Sequence, residues 1–131
     1  MLKERGFHTP DPVAYMEQKR FNLLTYSLYV SIHEHFDGLM QEFRHGPLEG
    51  REELLRQFAL YTAELHEKKV LHIDYSPGNI LYKKDGDKYT FYLVDLNRMT
   101  FDKSISLDDA CFNFRRLWGN DEMIQLIVEE Y

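Results

Sequence analysis

The strongest constraint on the fold is one run of the chain. An amphipathic helix ends in a polar loop, and the loop leads directly into a strand-turn-strand pattern. Leu54, Phe58, Tyr61 and Leu65 recur at spacings of four, three and four, so Arg51 to Lys69 reads as a helix with one apolar face. Lys68 and Lys69 at its end suit the negative pole of the helix. Ile80 to Lys84 and Tyr89 to Val94 flank Asp85-Gly86-Asp87, which predicts a hairpin. Between helix and hairpin stands His72-Ile73-Asp74-Tyr75-Ser76-Pro77-Gly78-Asn79.

The remaining segments fit one unit around this run. With 131 residues, 44% of them hydrophobic, the chain can bury one modest core. Met1 to Gly6 resembles the end of a helix closed by glycine, and Thr9-Pro10-Asp11-Pro12 forces an extended entry into Val13 to Met16. Leu24, Tyr26, Leu28 and Val30 alternate with Thr25, Ser27 and Tyr29, the period of a strand that pairs with Val13 to Met16. His33 to Arg44 is weakly helical, and Gly46-Pro47 with Gly50 punctuate the chain before the amphipathic helix. Ser106 and Asp109 start a helix with Leu107, Ala110, Phe114 and Leu117 on one face, and a last helix runs from about Asp121 to Tyr131. The abrupt opening and the missing stop signal lead us to expect that the natural fold extends beyond both ends.

Charge and cysteine content exclude several classes. Sixteen Lys and Arg against 22 Asp and Glu leave a net charge of -6, which argues against nucleic acid as a partner. The single cysteine, Cys111, cannot form an internal disulfide and reads as a small core residue. There is no signal-peptide pattern, and no apolar run approaches the roughly 20 residues needed to cross a bilayer. The expectation is a cytoplasmic protein with at most peripheral membrane contact.

The loop and the end of the hairpin carry the chemistry. The second strand runs into Val94-Asp95-Leu96-Asn97-Arg98. Phosphoryl transfer needs one carboxylate that orients the acceptor hydroxyl and receives its proton. It also needs an amide oxygen and a second carboxylate that hold magnesium against the nucleotide phosphates. Asp74, Asn79 and Asp95 can fill these roles, and hard oxygen donors are what magnesium prefers.

Here the chain resembles the protein-kinase-like superfamily, whose catalytic loop reads His-Arg-Asp, four residues, Asn, and whose metal-binding Asp follows a short hairpin. Asp74 to Asn79 keeps that spacing, Leu65-His66 to Leu71-His72 resembles the run of the family's long helix into the loop, and Asn79-Ile80-Leu81 resembles its exit. Val94-Asp95-Leu96-Asn97-Arg98-Met99 is closer to the Asp-x-Asp/Asn-Arg of the bacterial lipopolysaccharide kinase (Kdo/WaaP) family, and Asn113-Phe114-Arg115-Arg116-Leu117 is placed like that family's basic segment.

The resemblance implies an α+β, protein-kinase-like fold. Residues 1–32 would form the end of the small lobe and the hinge, and residues 33–131 the helical large lobe. It implies ATP and magnesium as cofactors, and a sugar of the lipopolysaccharide core, a heptose or Kdo, as acceptor at the inner membrane's cytoplasmic side. Asp74 would be catalytic, Asn79 and Asp95 would hold magnesium, and His72 would brace the loop; Arg98, read from the residue itself, could bind an anionic substrate or pair with a carboxylate. Three departures stand out: Ile73 replaces the usual Arg, Asn97 sits where an acidic residue is common, and the chain has no Gly-rich phosphate loop or strand lysine. We therefore expect these 131 residues alone to bind ATP weakly and to transfer little phosphate.

Other readings use the same residues. An aminoglycoside- or choline-type acceptor fits the motifs equally, and a kinase-like module could bind or scaffold without catalysis. His33 and His35 with His72, Asp74 and Asp95 would suit a zinc-dependent hydrolase. Arg115 and Arg116 read as a solvated helix face. An exposed strand edge at the start of the chain would favour self-association.

Overall fold

The computed structural model describes residues 1–117 and 119–131. Helix α1, Glu52–Glu67, runs through the buried core. Glu52 and Glu53 in its first turn suit the positive pole, and Leu54, Leu55, Phe58, Ala59, Thr62, Leu65 and His66 are buried along one face. The helix stops where Lys69 takes a positive φ of 56°. Phe58 is completely buried, stacked 5.9 Å from Tyr75 of the following loop and edge-on at 5.6 Å to Phe91. Its truncation to alanine would cost about 3–5 kcal/mol. The polar loop is thus seated on α1 by an aromatic ring. Tyr75, itself buried, shares a 2.9 Å hydrogen bond with Thr62 Oγ1; the threonine hydroxyl also lies 2.8 Å from the Phe58 carbonyl. Because a hydroxyl donates only once, Thr62 donates to the carbonyl and Tyr75 to Thr62.

Among the described residues, seven short strands form three antiparallel sheets. Strands β1 (Pro12–Arg20) and β2 (Leu23–Ser31) pair with each other alone, closing through Phe21 and Asn22, both at positive φ as a tight hairpin loop requires. β3 (Gly38–Leu39) joins the edge of the central hairpin, β5 (Ile80–Asp85) with β6 (Lys88–Leu93). In that hairpin Ile80 faces Leu93 and Tyr82 faces Phe91, all buried. Gly38 stands opposite Tyr82, where any Cβ would overlap the tyrosine ring. β4 (Val70–His72) pairs with β7 (Met99–Phe101), which brings the entry and the exit of the polar segments side by side.

Helix α2, Leu107–Phe114, starts at Ser106, whose hydroxyl accepts from the Asp109 N–H while Asp109 accepts from the Ser106 N–H. That capping box is the one the sequence predicts. Helix α3, Asp121–Glu130, buries Met123, Leu126 and Ile127 against α1, and Arg56 pairs with Glu130 across the two.

Three sequence expectations need correction. His33 to Arg44 is not a helix: Gly38–Leu39 is strand and only Met40–Arg44 forms a 3-10 turn. The reason is distant, since the Asp37 carboxylate accepts from the Lys84 N–H at 2.7 Å and the Asp37 N–H donates to Tyr82. The alternation in β2 does mark a strand, paired with β1 as expected, and every residue of the two is exposed. In α2 the buried positions are Ala110 and Asn113, while Leu107 is 73% exposed. Cys111 is exposed as well and is no part of the core.

Candidate functional site

The polar loop and the segment after β6 are bound together through their backbones. Asn79 donates from Nδ2 to the Asp74 carbonyl at 3.0 Å, and its own carbonyl accepts from the Val94 N–H at 3.0 Å. The Ile73 N–H donates to the Arg98 carbonyl at 2.8 Å. His72, buried at the end of β4, donates from Nε2 to the Val94 carbonyl at 3.0 Å, and its Nδ1 has no partner among the described residues. The residues that carry Asp74, Asn79 and Asp95 are therefore contiguous in space although 21 positions separate the first from the last.

Each side chain presents a usable oxygen. With its Nδ2 committed to Asp74, Asn79 turns Oδ1 away as an acceptor with no protein donor among the described residues. Asp95 is exposed, in the left-handed region at φ 54° and ψ 57°, and accepts one hydrogen bond from Asn97 Nδ2 at 3.2 Å. It lines a cleft of about 240 Å³ with Thr9, Pro10, Tyr29 and Ser31. An amide oxygen and a carboxylate on adjoining backbone suit a hard divalent cation such as magnesium. Arg98 is exposed, and its guanidinium makes no hydrogen bond or ion pair among the described residues.

Arg116 overturns its expected place on a solvated face. Its Nη1 donates to Asp74 Oδ1, forming an ion pair that joins the turn after α2 to the loop. The signal for this was the basic pair following Asn113-Phe114, but which arginine reaches the loop depends on where α2 ends. Arg115 instead lies over the Phe112 ring, 3.4 Å from its centroid. Arg116 also borders a second cleft, of about 340 Å³, with Gln41, Arg44, Ser76, Pro77 and Gly78.

Behind the loop runs a directional chain of hydrogen bonds that sequence reasoning did not anticipate. Asn113 donates from Nδ2 to the His72 carbonyl at 2.7 Å, so its Oδ1 accepts from His66 Nε2 at 3.1 Å. His66 Nδ1 is then the acceptor, and the Tyr131 hydroxyl donates to it at 2.7 Å. This arrangement needs a neutral imidazole, and burial holds the His66 pKa below its ordinary value, against the opposing effect of Asn113.

The hydrolase arrangement does not assemble. The His33 and His35 rings meet edge to face with centroids 5.4 Å apart, and among the described residues no three of His, Cys, Asp or Glu gather where they could hold a metal ion. No helix among those residues is long and apolar enough to cross a membrane.

Comparison with known proteins bears on the fold and the family. A search of curated sequences finds no match. Among solved structures, WaaP in complex with acyl carrier protein superposes with a TM-score of 0.67 at 17% identity, covering 99% of this chain and 61% of that one. The Rio2 kinase-ADP/Mg2+-phosphoaspartate complex from Chaetomium thermophilum superposes with a TM-score of 0.52 at 20% identity, covering 96% of this chain and 33% of that one. The chain thus has a kinase-like fold and spans less than two thirds of either structure. The sequence profile of the lipopolysaccharide kinase (Kdo/WaaP) family matches residues 1–118, which take in the polar loop, the end of β6 and Arg116. By that match over most of its length, the chain belongs to the lipopolysaccharide kinase (Kdo/WaaP) family.

Proposed function

We propose that the whole protein transfers the terminal phosphate of ATP to a hydroxyl of a lipopolysaccharide core sugar, on the cytoplasmic side of the membrane that holds that lipid. The observation that supports this reading is the hydrogen-bonded junction of Asp74, Asn79 and Val94, which ties together the backbone segments that carry Asp74, Asn79 and Asp95. In this assignment Asp74 accepts the acceptor's proton as its oxygen attacks phosphorus, and the phosphorus–oxygen bond to ADP breaks. Asn79 Oδ1 and Asp95 would hold magnesium, which when bound supplies charge neutralisation on the nucleotide phosphates. His72 braces the loop from behind and takes no proton in the reaction. Arg98, exposed beside Asp95, is positioned to meet an anionic part of the substrate. The cleft beside Asp95 suits the nucleotide, and the cleft beside Arg116 suits the acceptor. Residues 1–32 form the end of a small lobe, and residues 33–131 a large one. The 131 residues alone, without a glycine-rich loop or strand lysine, phosphorylate little, because positioning and electrostatics supply nearly all of this catalysis. The exposed edges of β1 and β2 support self-association of this chain.

The test is phosphorylation of a purified lipopolysaccharide core acceptor by the whole protein with magnesium and ATP. Asp74→Asn is expected to lower the rate by a factor on the order of 100 or more. An unimpaired Asp74→Asn protein would sink the assignment.

A further inference from the structure

We propose that the cleft bordered by Gln41, Arg44, Pro77, Gly78 and Arg116 is an anion site for the acceptor. It would take a carboxylate or phosphate carried beside the reacting hydroxyl, and binding this group would draw Arg116 off Asp74. The proposal rests on the kinase reading for the role of Asp74, though the binding itself does not.

Three observations carry it. The chain has a net charge of -6, yet the described residues that line this cleft include Arg44 and Arg116 and no carboxylate; Asp74, outside the lining, is the partner of Arg116. Arg116 is 43% exposed in its side chain and bridges two environments, with Nη1 on Asp74 Oδ1 and the remaining guanidinium donors available to the cleft. Gly78 lines the cleft as well, where an added Cβ would come within 3.1 Å of Gln41 Oε1, the flexible end of that side chain.

The consequence is a competition. In the free chain one oxygen of Asp74 is occupied by Arg116. A second anion in the cleft offers Arg116 a bidentate partner and releases that oxygen for the acceptor hydroxyl. A neutral sugar offers no such exchange, so it leaves Asp74 masked. Selectivity for anionic acceptors then follows from the ion pair itself, without any contact dedicated to rejecting neutral ones.

Heteronuclear NMR titration of the 131-residue chain with glucose 6-phosphate, glucuronate, inorganic phosphate and glucose, at fixed ionic strength, tests this. The two anionic sugars are expected to shift the amides of Ser76, Gly78 and Arg116, inorganic phosphate to shift the same amides at higher concentration, and glucose to shift none of them. Equal binding of phosphate and glucose 6-phosphate would remove the sugar from the proposal and leave a phosphate site, overturning the acceptor assignment. Arg116→Gln should weaken glucose 6-phosphate binding about tenfold, the scale of one lost charge-assisted hydrogen bond. Asp74→Asn should tighten it severalfold, since the competing carboxylate is gone. Far-UV circular dichroism confirms that both variants fold, and Arg44→Gln, on the opposite wall, gives an independent loss. Binding of glucose as tight as that of its phosphate, or weakening on Asp74→Asn, overturns the site. Tightening on Asp74→Asn with no transfer from ATP by the whole protein would uphold the site and sink the kinase reading. Transfer with Arg116→Gln binding unchanged would do the reverse.

Discussion

Asp95 combines an exposed carboxylate with a left-handed backbone that side chains of L-residues adopt at a cost of roughly 1–2 kcal/mol, less for Asp than for most. Such strain persists where the surrounding structure fixes it, here the Val94–Asn79 and His72–Val94 hydrogen bonds just before it. The two demands on this residue can be separated. Asp95→Gly should leave stability unchanged or raise it by up to about 1 kcal/mol in urea unfolding, while abolishing magnesium-dependent binding of ADP to the whole protein. Equal loss of both would assign Asp95 a structural role only. At this scale the sequence revealed Asp74, Asn79 and Asp95 as candidates, because their types and spacing carry chemistry locally. Arg116 was hidden because its partner stands 42 positions away and either arginine of the pair could have reached it. Cys111 misled for the opposite reason, since residue type alone said core and the helix face said solvent.

Helix α2 has only eight residues, too few to be stable by itself, and depends on its cap and on Asn113. Ser106→Ala removes the acceptor for the Asp109 N–H and is expected to cost about 1 kcal/mol. Asn113→Ala strands the His72 carbonyl and the His66 N–H, both in buried surroundings, and should cost on the order of 2 kcal/mol or more. Chemical denaturation of the two variants checks the order; a larger loss for Ser106→Ala would show that α2 is held by its start and not by the network. Helices α1 and α3 and the β5–β6 hairpin were legible because periodicity and turn chemistry are local. The segment around β3 was not, because its conformation answers to Asp37 and Gly38 meeting a strand more than 40 positions on.

Across the whole molecule, Tyr131, His66, Asn113 and His72 tie α3, α1 and α2 to the polar loop. Burial lowers the His66 pKa, so on acidification the unfolded chain takes up this proton first, near pH 6.5, and the folded chain only at lower pH. The contribution is fully present above about pH 6.5 and is lost as pH falls through that value toward the folded pKa. The melting temperature should therefore drop between pH 7.5 and pH 5.5, and His66→Gln should flatten that dependence; an unchanged slope would show that His66 does not govern it. The kinase-like fold was legible from one loop and its neighbours, whereas no pattern in β1 and β2 revealed that both their faces would stand open. That openness sets an order of events in a protease time course. Phe21 at the hairpin tip is 89% exposed and follows Lys19 and Arg20, so trypsin should cut there while Lys68 and Lys69, beside α1, are still intact. The early product would be a nicked chain whose two pieces report, by whether they part, how much of the body's cohesion passes through its first thirty residues.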